Sequence, residues 1–231
     1  MKNIFCLIVA TTICYSIQAQ KIYVQGGLNL ANITKDLSEN NNMLTTFNAG
    51  ILARVKIAGI VGFETGLLLT GHGSKAETIF FTNGNDQITK IKSTFNPVYL
   101  ELPLNLILKI RAGVGPSFFI NAGPYVAIGV GGKAKVETYG GIAGTIKSES
   151  KIEFVNDNPI IFEQDDAAYN KLKRVDYGVN LGGGMNFKKI ILKANYGFGL
   201  ANINSTQSIF NADNKNKYRT ISFSVGIPLG L

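Results

Sequence analysis

The sequence predicts an all-β protein, an eight-stranded antiparallel up-and-down β-barrel that crosses a membrane. Eight stretches of the chain alternate large apolar residues with polar or small ones, as strands do when their two faces meet different surroundings. The connections between these stretches are alternately long and short. No run approaches the roughly 18 apolar residues that a membrane-spanning helix needs, so we expect strands to make the crossing.

The clearest stretch is Val98 to Ile110, with the sequence VYLELPLNLILKI. Every second residue from Val98 onward is a large aliphatic one, while Glu101, Asn105 and Lys109 lie on the opposite face of an extended chain. A helix would surround these three polar residues with aliphatic ones. The thirteen residues exceed the usual strand of about five or six and suit a tilted membrane-spanning strand of roughly nine to eleven with an overhang.

Seven further stretches alternate in the same way, and the connections between them indicate the topology. A polar loop is expected at residues 74–87, and partial alternation within residues 133–170 indicates strands that continue above the membrane. An even number of strands with long loops at one rim only is typical of outer-membrane barrels, whose short turns face the periplasm. The predicted strands are residues 22–32, 45–57, 60–73, 98–110, 117–132, 172–187, 190–201 and 218–229.

The charges on the polar faces indicate which face meets lipid. A secreted soluble carrier of the lipocalin type is the alternative eight-stranded barrel, with its apolar residues inside. If the charged faces point inward instead, the aliphatic strips lie on the outside of the barrel. Such strips are far too large to be exposed to water, but they are stable against lipid. Closure of the barrel then satisfies the hydrogen bonds of the backbone. The polar faces carry Arg54, Lys56, Glu64, Glu101, Lys109, Arg174, Asp176 and Lys193.

These inward charges are predicted to form a structural network. Side chains just fill the lumen of an eight-stranded barrel, and an unpaired buried charge is costly, so we expect the charges to pair. Glu64 and Glu101 lie on adjacent predicted strands, with Arg54 and Lys109 as candidate partners. We expect the network to plug the barrel; a conduction or gating role is the alternative. Its predicted members are Arg54, Glu64, Glu101, Lys109, Arg174, Asp176 and Lys193.

Residues 1–20 are predicted to be a signal peptide, which leaves residues 21–231 as the barrel domain. Lys2 supplies the charge, residues 4–10 the apolar segment, and cleavage falls after Ala19 or Gln20. Both cysteines lie in this segment, so the mature chain has no thiol. The net charge of +8 is dispersed along an exported chain, which favours contact with anionic lipid headgroups or polysaccharide over nucleic acid.

Tyr99, Glu101 and Pro103 form a motif that resembles the YLEIPL-type signature of the PorT-like outer-membrane β-barrel family. The resemblance implies an eight-stranded barrel in the outer membrane of a Gram-negative cell, in a family whose members are often called porin-like. It also implies contact with outer-membrane lipid and the barrel assembly machinery, and partners in a secretion or surface system. Weaker similarities occur at residues 27–31, 64–68 and 196–203.

His72 is the only histidine and carries the enzymatic alternative, a lipid hydrolase at the barrel rim with Ser74 nearby. We expect His72 to be a solvent-exposed loop residue instead, since no triad spacing supports catalysis. One histidine and no cysteine in the mature chain make a metal site unexpected. Glu163, Asp165 and Asp166 lack the spacing of a calcium loop, so an acidic solvated loop is favoured.

The function predicted from these features is that of a non-enzymatic integral outer-membrane barrel without cofactor. Such a protein would be porin-like or accessory to a secretion or surface system. The two alternatives are the hydrolase that uses His72 and the secreted soluble carrier.

Overall fold

The computed structural model describes residues 20–34, 41–82, 87–111, 115–140, 145–155, 171–187, 189–203 and 216–229. The regular structure in these ranges is β-strand throughout. No helix among them is long and apolar enough to cross a membrane. The strands are β1 (Gln20–Thr34), β2 (Asn41–Asn42), β3 (Leu44–Ala58), β4 (Val61–Gly71), β5 (Ser74–Thr82), β6 (Gln87–Arg111), β7 (Ser117–Tyr139), β8 (Thr145–Lys151), β9 (Glu153–Val155), β10 (Lys171–Lys173), β11 (Val175–Phe187), β12 (Ile190–Gly199) and β13 (Lys217–Pro228).

Eight of these strands close into a ring, which confirms the predicted fold class. In ring order they are β1, β3, β4, β6, β7, β11, β12 and β13, each antiparallel to the next. The first and last strands close the barrel, with register pairs from Tyr23↔Pro228 to Thr34↔Lys217. The predicted signal peptide lies outside the described residues, apart from Gln20 at the start of β1.

The alternation in the sequence separates the two faces of the barrel wall as predicted. On β6, Leu106 is 56% exposed on the outside, whereas its neighbour Asn105 is 2% exposed inside. Outward residues of the other ring strands are likewise large and apolar, from Leu28 on β1 to Phe223 on β13. A soluble carrier would show the reverse arrangement, so the soluble-carrier alternative is wrong.

The two ends of the barrel differ in their connections. At one end, here the short-turn end, β3 joins β4 through Gly59 and Ile60, and Gly59 has a φ of +50° that favours glycine. At the other end, the long-loop end, β6 and β7 run past the ring and pair with β5 and β8. The four strands form a projecting sheet, so the loop predicted at residues 74–87 was wrong for residues 74–82.

Two apolar clusters fill the lumen on either side of a polar middle. The cluster near the short-turn end consists of Tyr23, Leu52, Leu68, Ile107, Phe119 and Ile191. The cluster near the long-loop end consists of Ile33, Tyr99, Tyr125, Ala127, Ile152, Leu172, Ile203 and Tyr218. Ile152, Leu172 and Ile203 come from segments outside the ring, so these segments cover the long-loop end of the lumen.

Candidate functional site

Glu64 lies at the centre of a buried charge cluster near the short-turn end. One carboxylate oxygen, Oε2, accepts a hydrogen bond from Arg54 Nε at 2.5 Å, and the other, Oε1, accepts one from Lys193 Nζ at 2.6 Å. The hydroxyl of Tyr23 donates to Oε2 at 2.5 Å. Arg54 and Glu64 are register partners on β3 and β4, whereas Lys193 reaches across the lumen from β12. We call Arg54, Glu64 and Lys193 the Glu64 triad.

Aromatic and amide groups hold the guanidinium group of Arg54 in place inside the lumen. Its Cζ lies 4.1 Å from the centroid of the Phe119 ring, within the range of a cation–π interaction. Its Nη1 donates to Asn186 Oδ1 at 3.0 Å. The triad carries two positive charges and one negative charge, and all three side chains are buried.

Amide and hydroxyl side chains fill the middle of the lumen. Asn48 Nδ2 donates to Asn29 Oδ1 at 2.7 Å, and Asn29 Nδ2 donates to Thr70 Oγ1 at 2.8 Å. Gln25 and Ser224 both donate to Asn48 Oδ1, at 3.2 and 2.9 Å. The cavity among these side chains measures about 40 Å³, which is room for very few water molecules.

His72 lies inside the barrel near the long-loop end, not in a solvent-exposed loop as the sequence predicted. It is 4% exposed, and its Nδ1 lies 3.2 Å from Thr220 Oγ1. Its ring is packed between Tyr99 and Tyr218, with centroids 5.4 and 4.9 Å away. The prediction failed because β4 runs through Gly71 and its chain continues directly into β5, so His72 stays in the barrel wall.

The two other buried carboxylates have neutral partners. Glu101 Oε1 accepts a hydrogen bond from Asn180 Nδ2 at 2.9 Å, and Asp176 Oδ2 accepts one from Tyr125 OH at 3.0 Å. Within the described residues, neither carboxylate forms an ion pair. The expected pairing of Glu101 with Arg54 or Lys109 is therefore not what the structure contains.

The structure brings together only part of the predicted lumen network. Arg54, Glu64 and Lys193 meet as the Glu64 triad, and Lys109 is partly buried near the short-turn end, where its backbone N–H donates to Ile60 O at 2.8 Å. Arg174 and Lys56 are exposed, so their predicted inward orientation was wrong. Arg174 precedes the first residue of β11, and Lys56 sits at a register shift in β3, where alternation ceases to apply.

Sequence reasoning missed the tyrosines and asparagines that complete the lumen. Tyr23 and Tyr218 occupy inward positions of β1 and β13 and contact charged or hydroxyl partners. A signal was available for Tyr23, because it lies between Ile22 and Val24 on a predicted strand and therefore takes the opposite face, but Tyr218 lies between Lys217 and Arg219 and has no such signal. Within the described part of the chain, no group of three or more His, Cys, Asp or Glu residues could hold a metal ion. Glu163, Asp165 and Asp166 lie outside that part.

A closed eight-stranded ring with an apolar outside and a polar, filled inside defines a membrane-spanning β-barrel. Residues 18–205 match the family model described as the outer membrane protein beta-barrel domain, so the chain belongs to this family and is an outer-membrane protein. No curated protein matches the chain.

The solved structures that are similar in fold include the following two. One is Ail, the attachment invasion locus protein of Yersinia pestis, in complex with the heparin analogue sucrose octasulfate: 12% identity over 91% of this chain and 99% of that chain, TM-score 0.39. The other is Neisserial surface protein A: 12% identity over 90% of this chain and 97% of that chain, TM-score 0.39. At these values the likeness gives no indication of what this chain binds.

Proposed function

We propose that the protein is a closed, non-enzymatic outer-membrane anchor that displays its long-loop end at the cell surface. In this role it is an accessory to a surface or secretion system, and not a diffusion pore. The observation that carries the proposal is the filled lumen. The Glu64 triad with Phe119 occupies one end, the tyrosines around His72 occupy the other, and only about 40 Å³ of cavity lies between them.

Kinship with the PorT-like members of the barrel family is part of this proposal. It rests on the motif of Tyr99, Glu101 and Pro103, all three of which are buried lumen residues of β6. Glu101 bonds to Asn180 on β11, and the Tyr99 hydroxyl meets that of Tyr218 on β13. The motif therefore supplies contacts across the lumen, which is consistent with a role in plugging the barrel.

Planar-bilayer recording tests the absence of a pore. We expect the wild-type protein, inserted in folded form, to give no steady current, because side chains interrupt the lumen at two levels. A double variant with Phe119→Ala and Tyr218→Ala shortens one large side chain at each level and is expected to admit ions. Its matched control, Phe118→Ala with Phe223→Ala, shortens two outward aromatics and should stay silent.

A steady, reproducible current through the wild-type protein would overturn the proposed closed state. Folding of each variant is checked beforehand by its β-sheet circular dichroism and by gel electrophoresis. A folded barrel that has not been boiled migrates differently from the same protein after boiling. If the double variant is folded and still gives no current, Phe119 and Tyr218 are not the side chains that block the lumen.

The burial of His72 supports the non-enzymatic part of the proposal. An ester group of a lipid would have to pass the rings of Tyr99 and Tyr218 to reach its imidazole. We expect wild-type protein and the His72→Ala variant to release no fatty acid from labelled phospholipid above the detergent blank. Deacylation by the wild type that His72→Ala abolishes would favour the hydrolase instead.

A further inference from the structure

The projecting sheet carries all of its charged side chains on one face. The register pairs Glu77 with Lys92, Lys92 with Glu137, and Glu137 with Lys147, and paired residues of adjacent strands share a face. The other charges lie two or four residues away along the same strands and therefore point the same way. This lysine face consists of Lys75, Glu77, Lys90, Lys92, Lys133, Lys135, Glu137, Lys147, Glu149 and Lys151.

The lysine face continues the outer surface of the barrel. On the opposite face of the sheet, Phe95 and Ala134 pack against the apolar cluster inside the long-loop end, so that face points inward. Val98 pairs with Gly131 and Tyr99 with Gly129, so β7 has one extra residue, Val130. The extra residue reverses the alternation, and the outward residue of β7 changes from Val130 to Lys133 within three positions.

Gly132 permits this change of surface. Its φ is +150°, a conformation that side chains disfavour, and a Cβ there would lie 2.6 Å from the Cα of Pro97. Because strands rise by about 3.3 Å per residue, Lys133 lies roughly 10 Å further along the strand than Val130, the last lipid-facing valine. On a tilted strand this places Lys133 just beyond the apolar band, where the headgroups are expected to begin, and the long-loop end of an outer-membrane barrel faces the outer leaflet.

The charge on this face is in excess and accessible. Seven lysines face three glutamates, which leaves a net charge of +4. Each glutamate is already paired: Glu77 with Lys90, Glu137 with Lys147, and Glu149 with both Lys133 and Lys135. Among the described residues no carboxylate pairs with Lys75, Lys92 or Lys151.

We propose that the lysine face binds the phosphate groups of the phosphorylated glycolipid of the outer leaflet and holds the projecting sheet against the membrane surface. The face continues the lipid-facing side of the barrel wall, because Lys92 lies on the same side of β6 as the outward Leu102, so its base lies beside the outer leaflet. Lysine suits phosphate because its ammonium is a compact charge that several oxygens can approach. The inference goes beyond the proposed anchor function, which does not depend on these residues.

The test uses the full chain in lipid discs of zwitterionic phosphatidylcholine and measures binding of added lipid A in its diphosphorylated and dephosphorylated forms. We expect the wild type to prefer the diphosphorylated form, with a preference that weakens as salt is raised. Exchanging Lys75, Lys92 and Lys151 for serine removes charge without breaking an ion pair of the described residues. This variant should lose at least about tenfold in affinity for the diphosphorylated form.

The matched control replaces three exposed lysines at the short-turn end, Lys21, Lys56 and Lys189, with serine and changes the net charge equally. Equal affinity of the wild type and the Lys75, Lys92, Lys151 variant would overturn the proposal, as would an equal loss in the control variant. If the protein binds a soluble sulfated polysaccharide more tightly than diphosphorylated lipid A, the lysine face is a site for a soluble polyanion, and the proposal is overturned. None of these outcomes alters the conductance of the barrel, so the closed-barrel proposal is judged separately.

Discussion

The Lys193–Glu64 pair inside the barrel and the Lys133–Glu149 pair on the projecting sheet have the same length in opposite surroundings. In each pair the nitrogen and oxygen atoms are 2.6 Å apart. The side chains are 2% and 0% exposed in the buried pair, but 62% and 43% exposed in the pair on the sheet. Distance alone therefore does not say what an ion pair does in this molecule.

Solvent decides the difference between the two pairs. Inside the barrel, removing one partner leaves the other charges buried without compensation, so breaking the pair destabilises the fold. On the sheet, water and salt screen the charges, and the lysines can exchange one anionic partner for another. The buried pair therefore supports the proposed closed lumen, whereas the exposed pair belongs to the surface proposed to bind phosphate.

The largest expected effect is that of Glu64→Gln. The substitution leaves Arg54 and Lys193 buried without an anion, and we expect the free energy of unfolding to fall by about 3–5 kcal/mol. Urea unfolding in lipid vesicles measures this. Glu101→Gln is the matched control, because Glu101 is also buried but, among the described residues, its carboxylate bonds to the neutral Asn180 amide. The control should leave the free energy of unfolding unchanged or raise it. An equal loss of stability in both variants would contradict the distinction between Glu64, which is paired with charges, and Glu101, which is bonded to an amide.

A smaller effect is expected from exchanging buried tyrosines for phenylalanine. Tyr125 donates to the Asp176 carboxylate at 3.0 Å, and its loss should cost about 1.5–3 kcal/mol, as for a hydrogen bond to a charged group. Tyr99 shares a 3.3 Å contact with the hydroxyl of Tyr218, so Tyr99→Phe should cost about 0.5–1.5 kcal/mol. The same vesicle unfolding experiment ranks the two variants. A larger cost for Tyr99→Phe would contradict the assignment of Asp176 as the stronger acceptor.

The smallest effect is expected on the sheet, where Glu149→Gln should not shift the urea midpoint measurably. Hydrogen bonds from Lys133 and Lys135 lower the pKa of Glu149 below its ordinary value. The ion pairs of Glu149 with the two lysines are therefore fully formed above the ordinary pKa of glutamate. They are lost as the pH falls through the lowered pKa of Glu149. A carbon-13 NMR titration of the carboxyl group measures this pKa, and Lys133→Ser with Lys135→Ser should raise it. An unchanged pKa in that double variant would show that the lysines do not contact Glu149.

Alternation along the chain was sufficient to predict the ring and the lining of its wall. A period of two determines which face a residue occupies, and seven aliphatics of one stretch could only face lipid. Alternation fails where the strand geometry changes, as it does for Lys56 at a register shift and for Arg174 ahead of β11. Partial alternation indicated the strands of the projecting sheet within residues 133–170, but it concealed β5, in which polar and apolar residues are mixed on both faces.

Partners across the lumen could not be predicted, because they depend on the diameter and stagger of the closed barrel. Arg54 and Glu64 are neighbours along one hairpin, and the sequence already suggested them as partners. Lys193 lies 129 residues from Glu64 and meets it only because the ring brings β12 opposite β4. His72 was misplaced for the related reason that glycines on both sides resemble a loop when the wall around them is unknown.

Tryptophan fluorescence tests the central claim, that adjacent residues of one strand face lipid and the sealed lumen in turn. The chain has no tryptophan, so Phe118→Trp and Phe119→Trp each introduce a single probe one residue apart on β7. Phe118 is 46% exposed on the outer surface, and Phe119 is 2% exposed beside Arg54. In vesicles of brominated lipid we expect strong quenching at position 118 and little at position 119. Equal quenching at both positions, or stronger quenching at 119, would contradict the account.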